Sequence, residues 1–220
     1  INGAAKTKLS YTYDSLQLQI DLDKTYTAKE SYNIYIKYIA RPNEFKGQGS
    51  EAIRDAKGMY FINPLGTDKE KPTQIWTQGE IESSSCWFPT IDSPNEKMTQ
   101  ELYITVDNRF NTLSNGTLMY SLLNADGTRT DLWKQDKPHS PYLVMMAVGD
   151  FAVVKDTMPK SKNFNWNGLD VSYYVEPKYK NHAKSVFGHT PEMIDYFSNL
   201  LQYKYPWDKY SQVVVRDYVS

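Results

Sequence analysis

Cysteine is almost missing from this sequence. Its 220 residues hold one, Cys86. No disulfide can form within the chain, and cysteine usage fixes no redox compartment. A single thiol beside Trp87 reads as a small apolar residue rather than a nucleophile. Histidine is scarce too: His139, His182 and His189 are the three. His182 and His189 stand either side of Gly188, at no metal-ligand spacing, and read as solvated helix residues; His139 reads as a loop residue. There is no Gly-x-Ser-x-Gly elbow, and nothing in the spacing pairs Cys86 with a histidine. No stretch is long and apolar enough to span a bilayer. Neither sign of charge dominates: 25 Lys and Arg against 26 Asp and Glu leave −1. That balance speaks against nucleic acid or an anionic membrane as the main partner.

What is present is a β-rich composition. Hydrophobic residues make up 40% of the chain, with 18 Tyr and 8 Phe, as in a folded globular protein built largely of strands. The chain starts Ile1-Asn2-Gly3, with no Met and no signal-peptide pattern, and stops at Ser220 directly after an apolar run. It reads as a piece cut from a longer protein, so its compartment is left open.

Periodicity divides the chain near residue 170. Before it, apolar and polar residues alternate over Leu16–Leu22, over Tyr32–Tyr38 and through Leu102, Ile104 and Val106, which predicts strands with one buried and one wet face. Arg41–Lys57 is a polar, Gly-containing loop, and Gly58–Ile62 a short strand. Asn115-Gly116 and Asp126-Gly127 tolerate the positive φ of hairpin turns, so Thr117–Leu123 and Thr128–Trp133 are expected to pair. Tyr142–Val148, apolar on both faces, is predicted as a fully buried strand. The fold class is therefore mainly β: an antiparallel β-sandwich over residues 1–169.

From residue 170 the pattern changes. Asp170–Val175 is a strand ended by Glu176-Pro177. Helical spacing then groups Ala183, Val186 and Phe187, and again Met193, Ile194, Phe197, Leu200 and Leu201. Gly188 separates the two helices. Thr190 is placed as N-cap with Pro191 at the first helical position, Tyr205-Pro206-Trp207 ends the second helix, and Val213–Val215 follows as a strand. Such a shift marks a domain boundary, giving 1–169 and 170–220 as two domains.

The stretch from Gln78 to Pro94 carries the chemistry. An acid-rich polar turn, Gln78–Ser85, passes into Cys86-Trp87-Phe88-Pro89. Pro89 and Pro94 cannot sit in a regular ladder and so fix a shaped loop, with Trp87 and Phe88 as buried anchors. Glu80 and Glu82 stand just before those anchors. Carboxylates beside a rigid loop suit a bound cation or amine. Ordinary solvated turn residues would read the same way, and the residues alone leave both readings open.

Gln-x-Glu, then aromatic-aromatic-Pro and Asp-x-Pro, resembles the zinc aminopeptidases that include aminopeptidase N and leukotriene hydrolase. So do Gly58-Met-Tyr60, Ser114-Asn115-Gly116, Tyr142-Leu…Val148-Gly149-Asp150-Phe151 and Tyr205-Pro206…Lys209. Two positions depart from the family: Ser84-Ser85 where Ala-Arg is common, and Arg216 where Pro is usual. The resemblance covers Gly58 to Ser220, and the first 57 residues fit only as generic β-structure. It implies a saddle-like N-terminal β-domain, lacking its first strands, followed by the truncated strand-helix-strand start of a thermolysin-like catalytic domain.

In this resemblance Glu80 is the residue that holds the substrate's α-amine, with Gln78 as a second polar contact. The resemblance also implies peptide substrates with a free N-terminus and one zinc ion, bound by a catalytic domain outside these 220 residues. None of the catalytic residues would then lie in this chain, which would be inactive alone. Two alternatives stand beside that reading: a non-catalytic relative serving as an interaction scaffold, and an unrelated β-sandwich binding module, such as one for carbohydrate. A last expectation concerns Val186, Phe187, Ile194 and Phe197. Without their usual partners they would form an apolar patch or a locally disordered segment.

Overall fold

The computed structural model describes residues 7–45 and 56–218. Two compact units are distinguished, one up to Ile39 and one from Ala40 on. In the first, strands β1 (Ser10–Tyr13) and β2 (Leu18–Asp21) form an antiparallel hairpin. Its turn is held by Asp14, whose carboxylate accepts the Leu16 and Gln17 N–H groups. Tyr32–Tyr38, expected as a strand, is irregular and largely exposed. Alternation states which face a strand would bury, but a strand needs a neighbour's N–H and C=O groups to exist. Tyr32–Tyr38 pairs with no strand among the described residues.

The second unit opens with a short 3-10 turn at Pro42–Glu44, within the expected Arg41–Lys57 loop, part of which lies outside the described residues. Two antiparallel sheets follow. Strands β3 (Met59–Ile62), β4 (Gln74–Thr77), β6 (Asn111–Ser114) and β9 (Met146–Gly149) form a four-stranded sheet in the order β3-β4-β9-β6. Strands β5 (Met98–Asp107), β7 (Thr117–Leu123) and β8 (Thr128–His139) form a three-stranded sheet with β8 central. The two sheets share one core: Ile104 and Trp133 from the three-stranded sheet meet Leu113, Ala147 and Val148 from the four-stranded one. This is the expected antiparallel sandwich.

Two aromatic pairs serve packing in the second unit, while many other tyrosines are exposed. Tyr60 stacks on Trp76 with centroids 4.1 Å apart, and Trp87 packs edge-on to Phe88 at 4.6 Å.

Several local expectations shift. β7 and β8 pair as expected, around a loop in which Gly127, at φ 85°, donates to the Asn124 carbonyl. Asn115-Gly116, in contrast, closes no hairpin. β6 pairs with β9 and β7 with β8, so this turn carries the chain from one sheet to the other. Gly116, at φ 75°, is needed there because a Cβ would lie 1.8 Å from the Lys134 carbonyl oxygen. The buried strand expected over Tyr142–Val148 begins at Met146, because Pro141 sets a 3-10 turn at Pro141–Leu143. His139 is not a loop residue. It ends β8, is 4% exposed, and its ring nitrogens lie 3.2 Å from Gln100 Oε1 and 3.3 Å from the Lys137 carbonyl oxygen.

A third sheet runs through the expected boundary. Strand β10 (Ala152–Asp156) pairs antiparallel with β11 (Asp170–Val175), and β11 pairs parallel with β12 (Lys209–Val213). A parallel pair requires a crossover. A 3-10 turn at Pro177–His182 and helices α1 (Ala183–Phe187) and α2 (Thr190–Leu201) supply it. The alternation of β11 serves two cores: Val171, Tyr173 and Val175 pack with Ala183 and Ile194, and Tyr174 faces the sandwich core.

Thr190 is inside α2 rather than its N-cap. His189 before it is already helical, and the Thr190 hydroxyl donates to Gln212 Oε1 at 2.8 Å. The helix ends at Gln202, in the left-handed region at φ 51°, three residues before the expected Tyr205-Pro206 stop. β12 stops at Val213, so Val214 and Val215 lie beyond the strand. The helices are formed, Ile194 is buried and Phe187 half-buried, while Val186 and Phe197 are 66% and 54% exposed. Of the four residues expected to lack partners, Ile194 and Phe187 pack into a core, and only Val186 and Phe197 are left exposed.

Candidate functional site

The Gln78–Glu80 segment lies where β4 leaves its sheet. The Gln78 N–H donates to the Gly58 carbonyl at 3.0 Å, which extends the strand's order by one residue. The Gly79 carbonyl accepts the Ser83 N–H at 2.9 Å and closes a turn. A 3-10 turn at Ser84–Cys86 then delivers Trp87, 6% exposed, to a small core with Met59 and Val144. Asp92 folds back so that its carboxylate accepts the Ser85 N–H at 2.8 Å. Trp87 is thus the buried anchor that the sequence suggested, and Phe88, expected beside it, is half-buried against the same core. Cys86 is half-buried, and burial pushes its thiol pKa up, away from the reactive thiolate.

Gln78 and Glu80 are brought together through the backbone. The Gln78 side-chain oxygen accepts the Glu80 N–H at 2.9 Å. That N–H fixes the orientation of the amide, so its NH2 faces the other way, 3.4 Å from the Tyr218 hydroxyl. Gly79 between them is buried, and a Cβ there would lie 2.3 Å from the Tyr142 carbonyl oxygen. The Glu80–Ile81 peptide is cis. The Glu80 carboxylate is exposed and makes no ion pair or hydrogen bond among the described residues. Glu82 is exposed in the same way, and no contact joins it to Gln78.

One wall of the site was not read from the sequence. The segment after β12 lies against β4. Trp76 donates its indole N–H to the Arg216 carbonyl at 3.1 Å, and the Arg216 N–H donates to Gln74 Oε1 at 2.9 Å. The Arg216 guanidinium holds the 6%-exposed Glu176 at 2.5 and 3.1 Å. That hydrogen-bonded cation keeps the Glu176 carboxyl below the usual carboxylate range. Lys71 pairs with Asp217 at 2.6 Å, and the Tyr218 ring lies 5.4 Å from Trp76. The one sequence signal was Arg216 itself, the departure from the usual proline.

A separate cleft of about 330 Å³ opens between Ser114, His139, Leu143, Trp207 and Lys209. Gln78 and Glu80 do not line it. Lys209 donates to the Ser114 and Gly116 carbonyls at 2.5 and 2.6 Å, and burial lowers its pKa to about 8. Burial also lowers the pKa of His139. These groups are engaged with the backbone or with Gln100 and offer no nucleophile. Among the described residues no three His, Cys, Asp or Glu side chains gather as metal ligands, so the residues present do not fit a zinc ion. No helix is long and apolar enough to cross a membrane among the described residues.

Against known proteins, the family model of the peptidase M1 N-terminal domain matches residues 2–143, a span that includes Gln78 and Glu80. The puromycin-sensitive aminopeptidase of Caenorhabditis elegans is 25% identical over 217 residues, 98% of this chain and 21% of its own length. The glutamyl aminopeptidase of Homo sapiens is 28% identical over 131 residues, 60% of this chain and 13% of its own. The transcription initiation factor TFIID subunit 2 of Danio rerio is 25% identical over 161 residues, 72% of this chain and 13% of its own. The chain therefore spans about a fifth or less of the length of these curated relatives.

Proposed function

The chain belongs to the peptidase M1 family, and on that premise we propose that it is the substrate-anchoring part of a zinc-dependent aminopeptidase, with Glu80 binding the α-amine of peptide substrates. The observation that carries this is the Glu80 geometry. Its backbone is clamped by Gln78 at 2.9 Å at the end of an ordered strand, while its carboxylate is unpaired among the described residues. A peptide's α-amino group has a pKa near ~8 and is largely cationic at neutral pH. A fixed carboxylate binds that cation by a charge-assisted hydrogen bond and admits only chains that present a free N-terminus. Gln78 holds the anchor from behind.

In the same proposal, residues 1–169 are the N-terminal β-domain and residues 170–220 the start of the catalytic domain. The parallel β11–β12 unit with its helical crossover lies wholly in the second part, while β10, from before residue 169, completes the same sheet. Zinc would be held by residues outside this chain and would supply an activated water. The residues described contribute binding and orientation only, and the 220-residue piece alone would hydrolyse nothing.

The test is Glu80→Ala in the full-length protein, with zinc content and aminoacyl-anilide hydrolysis measured together. A charged hydrogen bond contributes about 1.5–3 kcal/mol. The expected outcome is therefore a ~10- to 150-fold loss of kcat/KM with zinc content unchanged. Equal kinetics in variant and wild type would overturn the assignment.

A second reading is favoured by one observation: relatives at similar identity include a protein named as a subunit of a transcription initiation factor. Under it the parent is a non-catalytic interaction scaffold. Absence of both zinc and activity from the full-length protein would favour that reading.

A further inference from the structure

We propose that Tyr218 is the positioning residue of the amine anchor, acting on Glu80 through Gln78. This rests on the reading of Glu80 as the amine-binding carboxylate. The geometry forms a relay. The Tyr218 hydroxyl accepts from the Gln78 amide at 3.4 Å, and the opposite end of that amide accepts the Glu80 N–H at 2.9 Å. A side-chain amide has one acceptor end and one donor end. With its oxygen committed to Glu80, its NH2 needs an acceptor, and among the described residues the Tyr218 oxygen supplies it. Without it the amide is held at one end only and can swing away from the Glu80 N–H, which loosens the clamp on Glu80.

Tyr218 itself is held firmly for a residue 58% exposed. Its ring lies against Trp76, which stacks on Tyr60. The two residues before it are tied down by the Trp76 indole, the Gln74 side chain, the buried Glu176 and Lys71. These contacts separate two roles within one side chain. The ring packs on Trp76, and the hydroxyl orients Gln78. Tyr218→Phe removes the second and keeps the first.

The experiment uses the full-length protein and three forms: wild type, Tyr218→Phe and Glu80→Ala. Each is assayed for KM and kcat with an aminoacyl-anilide, and for competitive inhibition by leucine hydroxamate and by 4-methylpentanohydroxamic acid, the same compound without its amine. If Tyr218 positions the anchor, Tyr218→Phe raises KM about threefold with kcat kept, as expected for a fraction of one hydrogen bond. It also weakens leucine hydroxamate by the same factor and leaves the des-amino compound unchanged. Wild-type behaviour of Tyr218→Phe beside an impaired Glu80→Ala would overturn the role of Tyr218 alone. Equal weakening of both inhibitors would overturn it as well, since a general structural role does not distinguish the amine. Wild-type behaviour of Glu80→Ala would remove the underlying reading, and the role of Tyr218 with it.

Discussion

Gly79→Ala tests the anchor by steric means, without touching a charge. Its Cβ would lie 2.3 Å from the Tyr142 carbonyl oxygen, 2.6 Å from Ser84 Oγ and 2.8 Å from Tyr142 Cα. Ordinary contact begins at 3.4 Å, so the nearest pair must open by about 3.4 − 2.3 = 1.1 Å. None of these atoms yields easily. Two are backbone, and Ser84, fully buried, donates its hydroxyl to the Pro141 carbonyl at 2.9 Å. Overpacking of this kind costs ~1–3 kcal/mol. Relief comes most readily from the exposed side, by pushing Gln78–Glu80 outward. A displacement of about 1 Å at a positioning group can lower turnover ~100-fold. We expect Gly79→Ala in the full-length protein to lose ~10- to 100-fold in kcat/KM for an aminoacyl-anilide, with a modest drop in Tm. Gly127→Ala is the control. Its Cβ meets nothing within 4 Å but its φ is 85°, so it should cost ~1–2 kcal/mol of stability and leave kinetics alone. Wild-type kcat/KM in Gly79→Ala would refute the claim that this close packing sets the position of Glu80.

Arg216→Met leaves Glu176 buried with only Lys178, at 3.4 Å, as a cation. Because the Glu176 pKa is depressed in the folded state, its stabilisation is complete above the unfolded value of ~4.3 and is lost as pH falls through the folded value. Removing a buried partner costs ~3–5 kcal/mol, and the one-third exposure of Arg216 and the remaining Lys178 reduce this to ~2 kcal/mol. Urea denaturation should show that loss at pH 7 and a smaller one at pH 3; equal losses would refute the pairing. Lys209 titrates at about 8 when folded and near ~10.4 when unfolded. The unfolded chain then binds more protons between those values, and stability rises with pH across that window. Lys209→Met should remove the rise, read as urea midpoints at two pH values inside the window; unchanged slopes would count against it.

Local pattern revealed what local physics decides. The alternation through Leu102, Ile104 and Val106 gave β5 and its buried face, and Trp87 with Pro89 gave the anchored loop, because side-chain direction and proline geometry are set within a few residues. Pairing is decided elsewhere. Tyr32–Tyr38 alternates as well as Leu18–Asp21 does, yet only the second has a described partner strand. Asn115-Gly116 has hairpin chemistry, but the strands on either side find partners in different sheets. Thr190 has N-cap chemistry, and its hydroxyl goes to Gln212, 22 residues away in sequence. In each case the residue type was suited to the local role and a distant group competed for it.

The candidate site divides along the same line. One of the three constraints on Glu80 is local: the Gln78 side chain reaches the N–H two residues on. The other two come from far along the chain, the Tyr142 carbonyl that packs against Gly79 and the Tyr218 hydroxyl that meets Gln78 across 140 residues. A Gln-Gly-Glu tripeptide can supply the first constraint in any protein, which is why the sequence alone left Glu80 open between an anchor and a solvated turn residue. The distant pair make it specific, because they form only when the 3-10 turn before β9 and the segment after β12 are both packed against β4. The separate losses expected from Gly79→Ala and Tyr218→Phe therefore report on two different long-range contacts. If both contacts act on Glu80, the double variant should lose no more than Glu80→Ala, since a carboxylate already displaced from the amine cannot be displaced from it again.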